Sequence, residues 1–232
     1  MSLERKVAVV TGAGSGIGRA AAKKLASRGL TVALFGRTEE KLAETAREIT
    51  HESPEAKTLI VPCDVAESAQ VERAKERVIT ALGTPIVVVN NAGVVERAPI
   101  EDTTDESWRR VLGANLDGTF FVTRAFLPSM RARDAGRFVA VASISSTLGT
   151  PRLSSYCAAK WGVVGFMKSL AEELRGSKLC AISVLPGSVD TDMLKGSGFP
   201  PAMTPEDVAN TIVYAALDAP SAMNGSAIEI FG

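Results

Sequence analysis

Short apolar runs rich in β-branched residues alternate with longer segments that carry charged faces, from one end of the chain to the other. No other feature constrains the fold as tightly, because this alternation is the signature of βαβ units. The runs lie at residues 6–10, 31–35, 58–61, 86–89, 137–142, 179–185 and 227–230. Each is apolar throughout, as strands covered on both faces should be. Helical segments are expected at 17–28, 39–50, 68–82, 105–131, 155–175 and 205–217. Right-handed crossovers join them into one α/β domain over residues 1–232. The expected architecture is a doubly wound (Rossmann-like) parallel sheet of about seven strands with helices on both faces, and ligands of such sheets sit at the carboxyl ends of the strands. The longest irregular stretch, 186–204, is rich in Gly, Ser and Pro, and its length suits a substrate lid.

Composition removes several functions. With His51 as its single histidine, the chain has no set of imidazoles for a zinc site and no second histidine for a relay, so no metal site is expected. Basic and acidic residues balance at 26 each, which gives no field for steering onto nucleic acid or anionic lipid. Cys63, Cys157 and Cys180 are odd in number with no Cys-x-x-Cys pair, as suits free thiols in the cytoplasm. The apolar run after Met1–Lys6 is too short for a leader peptide, and no stretch approaches a membrane span. The expected partner is a small molecule, with neither nucleic acid nor membrane involved.

The first expected βα junction reads Thr11-Gly12-Ala13-Gly14-Ser15-Gly16-Ile17-Gly18-Arg19 and opens onto an alanine-rich helix. Glycines let the backbone turn tightly and approach a ligand, while the helix start offers free N–H groups and a positive dipole end to a pyrophosphate. The spacing is G-x-x-x-G-x-G, unlike a P-loop or the general dinucleotide fingerprint. After the second run comes Leu34-Phe35-Gly36-Arg37-Thr38. A carboxylate there would bond a ribose 2′-hydroxyl and repel a 2′-phosphate; glycine followed by arginine and threonine removes the repulsion and adds a planar phosphate donor. NADP(H) is favoured on this ground, with NAD(H) the alternative, since Ser15 puts no cation inside the glycine turn and Arg37 also reads as a solvated helix start.

Tyr156 and Lys160 stand four apart, so a helix sets phenol and ammonium on one face. A tyrosine titrates near pH ~10, and lowering that to about 7 takes roughly 4 kcal/mol. One ammonium at about 4 Å and an effective dielectric near 20 is worth an interaction of about that order. The pair also reads as a buried tyrosine beside a snorkelling lysine.

Taken together these motifs resemble the short-chain dehydrogenase/reductase family. The likeness spans nearly the whole length: the glycine turn, Asp64-Val65, Asn90-Asn91-Ala92-Gly93, Asn115, Ser143, Tyr156 with Lys160, and Pro186-Gly187 with Thr191. It implies a nicotinamide-dependent oxidoreductase interconverting a carbonyl and a secondary alcohol. Tyr156 would be the acid/base, Lys160 would lower its pKa and hold the nicotinamide ribose, and Ser143 would position the substrate oxygen. Asn115 would anchor a water that passes protons to Lys160. The dinucleotide would be held by Gly12, Ser15, Gly16, Ile17, Gly18, Arg37, Asp64 and Val65 at the adenine and phosphates. Asn91, Ala92, Gly93, Pro186, Gly187, Val189 and Thr191 would line its nicotinamide half. Spacing from the tyrosine selects Ser143 over Ser145 and Ser146. The likeness also implies a homodimer or homotetramer built through the two long helices. Val94, Val95, Leu148, Leu153 and Phe199 adjoin these motifs and suggest a mostly apolar pocket, and a short 192–204 segment suggests an open one. A nucleotide-binding sensor and a nucleotide-sugar epimerase or dehydratase are the alternatives; the first is countered by the full set of reactive residues, the second by the short region after Pro186.

Overall fold

The computed structural model describes residues 6–232; Met1–Arg5, on which the leader reading bears, lie outside the described residues. Seven strands form one parallel sheet: β1 (Val7–Thr11), β2 (Thr31–Gly36), β3 (Thr58–Pro62), β4 (Val87–Asn90), β5 (Gly136–Val141), β6 (Leu179–Pro186) and β7 (Ala227–Ile230). Their order is β3-β2-β1-β4-β5-β6-β7. The winding reverses between β1 and β4, and that switch point opens a crevice beyond the strand ends. The glycine turn follows β1 and the Asn-Asn-Ala-Gly segment follows β4, so both stand at the crevice.

Because side chains alternate across a strand, each strand feeds two cores. Val10, Leu34, Val89 and Ile182 face the layer of helices α1 (Gly16–Ser27), α2 (Glu39–Glu52) and α7 (Pro205–Val213). Val9, Phe35, Val88 and Phe138 face α3 (Ser68–Leu82), α5 (Gly118–Arg133) and α6 (Ser154–Glu173). The expectation that every strand is covered on both faces holds for the inner five and fails at the rims. Most of β3 is only partly buried and β7 alternates exposed with partly buried residues, because an outer strand has a neighbour on one side only.

The helix expected over 105–131 is interrupted. It begins as α4 (Asp105–Leu112), widens into a π turn at Gly113–Asp117, where the Gly118 N–H reaches back to the Gly113 carbonyl, and continues as α5. Asn115 sits in this turn, where a wider ring displaces backbone groups from the α ladder. The expected helix 205–217 likewise ends in a π turn, Tyr214–Asp218. The segment from Gly187 to Thr204 is irregular apart from a short turn at Asp192–Leu194. Its base is tied: Val189 bridges Met203, the Asp190 N–H donates to the Met203 carbonyl at 3.0 Å, and the Ala202 N–H donates to the Ser188 carbonyl at 2.9 Å.

Candidate active site

Three joined clefts run along the carboxyl edge of the sheet. The first, about 200 Å³, lies between the glycine turn and the ends of β2 and β3, with Arg37, Thr38, Asp64 and Val65 in its wall. The second, about 440 Å³, shares Gly12, Ser15, Ala92 and Gly93 with the first. The third, about 470 Å³, shares Ile17, Asn91 and Thr191 with the second and holds Ser143, Tyr156, Lys160, Pro186, Gly187 and Val189. Gly16 lines the second. Every expected site residue therefore lines one connected groove except Gly18 and Asn115, which stand behind its wall.

The glycine turn is held from below. The Thr11 hydroxyl accepts the N–H groups of Asn91 and Ala92, both at 2.9 Å, and the Asn91 side-chain amide donates to the Thr11 carbonyl at 3.0 Å. Arg19 donates to the Gly14 carbonyl at 2.8 Å while its guanidinium is paired with Glu44 and Glu48 of α2. A Cβ on Gly18 would collide with the Gly12 carbonyl oxygen and the Asn91 amide, so only glycine lets α1 start so close to the strand ends. Ser15 offers no side-chain cap to that helix. The first N–H groups of α1 are thus left for an anion in the second cleft. The built, uncapped helix start, the close backbone approach and a groove of three connected chambers fit a dinucleotide.

At the far end, Tyr156 lies in the first turn of α6 and Lys160 one turn later, both buried. Lys160 Nζ donates to the Val141 carbonyl at the end of β5 (2.7 Å) and lies 5.6 Å from the Tyr156 ring centre. The phenol oxygen touches Met193 Sδ at 3.9 Å. Ser143 caps the turn after β5, its Oγ accepting the Ser145 N–H at 3.1 Å, and its side chain favours the ionised phenol. Asn115 donates to the carbonyls of Val94 and Val111, both at 2.8 Å, and its Oδ1 is buried without a partner among the described residues. A Cβ placed on Gly93 would strike that oxygen and come within 3.7 Å of Lys160 Nζ, so the two groups flank Gly93.

A family model described as short chain dehydrogenase matches residues 6–198. The chain belongs to the short-chain dehydrogenase family. It is 34% identical to an uncharacterized oxidoreductase of Staphylococcus haemolyticus over 98% of this chain and 97% of that one. It is 33% identical to a 3-oxoacyl-(acyl-carrier-protein) reductase of Thermotoga maritima, covering 100% of this chain and 98% of the relative. Among solved structures it is similar to levodione reductase, with a TM-score of 0.92 and 28% identity over 97% of this chain and 95% of the other. This short-chain dehydrogenase is accordingly an oxidoreductase acting between carbonyl and alcohol with a nicotinamide dinucleotide. No described helix is long and apolar enough to cross a membrane, and no described cluster of His, Cys, Asp and Glu could hold a metal ion.

Burial sets the starting point for the dehydrogenase's proton chemistry. Without a bound dinucleotide, desolvation pushes Tyr156 up to about 12, outweighing the help from Ser143 and Arg97. Desolvation also brings Lys160 down to about 8. Both groups resist charging because low-dielectric surroundings penalise the ionised form. Below pH 8 the folded state carries the cost of a buried ammonium; between pH 8 and 10.5 it has released the proton that the unfolded chain still holds, so stability rises with pH across that window. Relative to Lys160→Met, the wild type should gain up to about 3 kcal/mol from pH 8 to pH 10.5. Urea unfolding of both proteins at stepped pH measures this, and a difference that stays flat refutes the depressed pKa.

Other site residues were not foreseen. Lys41, one turn after Arg37, lines the first cleft, and among the described residues neither side chain is in an ion pair. The i, i+4 spacing of Arg37 and Lys41 was the available signal. Arg97, Arg152 and Met193 line the third cleft. Leu148, Leu153 and Phe199 line it as expected, but Val94, whose carbonyl accepts from the Asn115 amide, lines the first cleft and Val95 none of the three. His51 is exposed at the end of α2, beneath the amino edge of β3 and away from the groove.

Proposed function

We propose that this dehydrogenase interconverts a carbonyl and a secondary alcohol using Tyr156 as proton donor and acceptor and NADP(H) as the preferred dinucleotide. The observation that carries the reading is the convergence of Tyr156, Lys160 and Ser143 at one end of a groove whose other end holds Arg37 and Lys41. When bound, the dinucleotide delivers or accepts the hydride and, oxidised, sets a positive charge beside the phenol. Ser143 orients the substrate oxygen, and Tyr156 gives that oxygen a proton as negative charge develops on it, so charge never builds up unmatched. Lys160 holds the nicotinamide ribose, and its ammonium steadies the phenolate once the proton has left. The unpartnered Asn115 oxygen beside Lys160 suits it to hold a water that restores the proton. Thr191 and Val189, above the shared edge of the second and third clefts, hold the carboxamide end.

Following NADPH and NADH absorbance in parallel over a panel of ketones tests the reading. Reduction with faster turnover on NADPH supports it. Dinucleotide that stays bound without net oxidation would point to an epimerase, and binding without any turnover to a sensor.

We also infer self-association through the face formed by α4, α5 and α6. Trp108, Phe120 and Trp161 are 38%, 38% and 53% exposed there, large apolar groups that a lone protomer would leave wet. Native mass should show a dimer or tetramer that Trp161→Glu dissociates; a wild-type monomer refutes the interface.

A further inference from the structure

The third cleft is unevenly charged. The protein as a whole is neutral, with 26 acidic residues, yet among the described residues none of them lines this cleft, whereas Arg97, Arg152 and Lys160 do. Lys160 is buried at the base and committed to the Val141 carbonyl. The two arginines stand at the mouth. Arg97 donates one N–H to the Met193 carbonyl of the lid at 2.8 Å, which leaves most of its donors unused. The neighbouring Glu96 does not neutralise it, being taken by Arg110 and Ser107. On the lid, Asp192 is taken by Lys195. Arg152 sits in left-handed backbone at φ 64°, a conformation that costs a non-glycine residue on the order of 1–2 kcal/mol. It is held there by the Ala98 N–H, which donates to the Arg152 carbonyl at 3.1 Å and so ties the two arginine-bearing segments together. The rest of the lining mixes apolar side chains, Ile144, Leu148, Leu153 and Phe199, with uncharged hydroxyl groups such as Ser145 and Thr150.

Resting on the carbonyl–alcohol reading above, we propose that the substrate is an anion: a carbonyl compound with an apolar body and a carboxylate, the carboxylate being bound by Arg97 with Arg152 beside it. Planar guanidinium donors match a carboxylate in pairs, and a cleft wall free of competing acids focuses their field. The charge of Arg97 reaches the reaction centre, since it favours the ionised form of Tyr156.

Calorimetry on the protein saturated with dinucleotide, using hexanoate and hexanamide as probes, tests this apart from turnover. The acid should bind about tenfold tighter than the amide, the range for a charge-assisted contact at a partly wet site. Arg97→Ala should erase most of that preference and leave the amide unchanged, Arg97→Lys should keep part of it, and Arg152→Ala should reduce it by a few-fold. Equal affinity for acid and amide, or a preference that survives Arg97→Ala together with Arg152→Ala, overturns the proposal. In the matching kinetics, oxo acids should outrun their methyl esters in kcat/KM, and Arg97→Ala should raise KM for the acids alone. Should the acid preference appear in binding while no carbonyl is reduced, the anion subsite stands and the carbonyl reading falls.

Discussion

Tyr156→Phe should lower kcat for carbonyl reduction by roughly 10³-fold, within the range that a positioned proton donor contributes, while dinucleotide affinity changes by less than about twofold. The substitution removes one oxygen and leaves the ring, which is buried in the first turn of α6. That oxygen makes a loose contact to Met193 Sδ at 3.9 Å and interacts with the Ser143 side chain, so folding has little to lose. The ring still shields Lys160, whose bond to the Val141 carbonyl does not involve the phenol. The loss should therefore appear in kcat, with thermal stability within a degree or two of wild type. A variant that keeps a tenth of wild-type turnover would mean that another group moves the proton, and Ser143 would be the first to examine. The free-protein pKa of about 12 makes the reduction direction the easier one to observe near neutrality, because the phenol is then fully protonated and ready to donate.

The second large effect is expected at the opposite end of the groove. Reversing both Arg37 and Lys41 to glutamate should weaken NADPH binding by about 10²-fold or more, each lost charged contact being worth ~1.5–3 kcal/mol, and NADH binding by less than about threefold. Arg37 follows Gly36 at the end of β2, and Lys41 lies on the first turns of α2 in the same wall. Neither is held in an ion pair among the described residues, so both can meet a 2′-phosphate, and two glutamates there would repel it. Fluorescence titration with the two dinucleotides reads the difference directly. Equal losses for both would show that this wall does not discriminate at the ribose.

Much of this was legible from the order of residues, and the exceptions have physical causes. The strands could be placed because continuous β-branched runs have few other uses, and the crevice followed from handedness once the glycine turn fell after the first of them. Tyr156 and Lys160 were legible as a pair because a helix fixes their relative position. Lys41 was not, since whether a lysine one turn into a helix points to a cleft or to water depends on how that helix packs. Arg97 was hidden for a different reason: it matters through a contact with Met193, far along the chain, and long-range contacts leave no local pattern. The desolvation of Tyr156 was not legible because charge attraction can be estimated from spacing, whereas desolvation depends on everything packed around the group. The break in the long helix left only a weak sign, since Gly113, Asn115 and Asp117 are poor helix formers but such residues also occur within unbroken helices.

That break fixes the length of the chain at one place and leaves it free at another. A π turn accommodates one residue more than an α turn, so α4 and α5 keep their phase with their separate neighbours although the chain carries an extra residue between them. Deleting a single position there would close the π turn into an α turn, leaving Phe126 and Met130 in the core but removing the widened ring in which Asn115 sits. The tied base of the 187–204 segment has the opposite property: residues added between Asp190 and Ala202 leave the Val189–Met203 bridge and the sheet undisturbed. Insertions and deletions in proteins of this build should accordingly accumulate over the substrate mouth and be absent from the helix that carries Asn115.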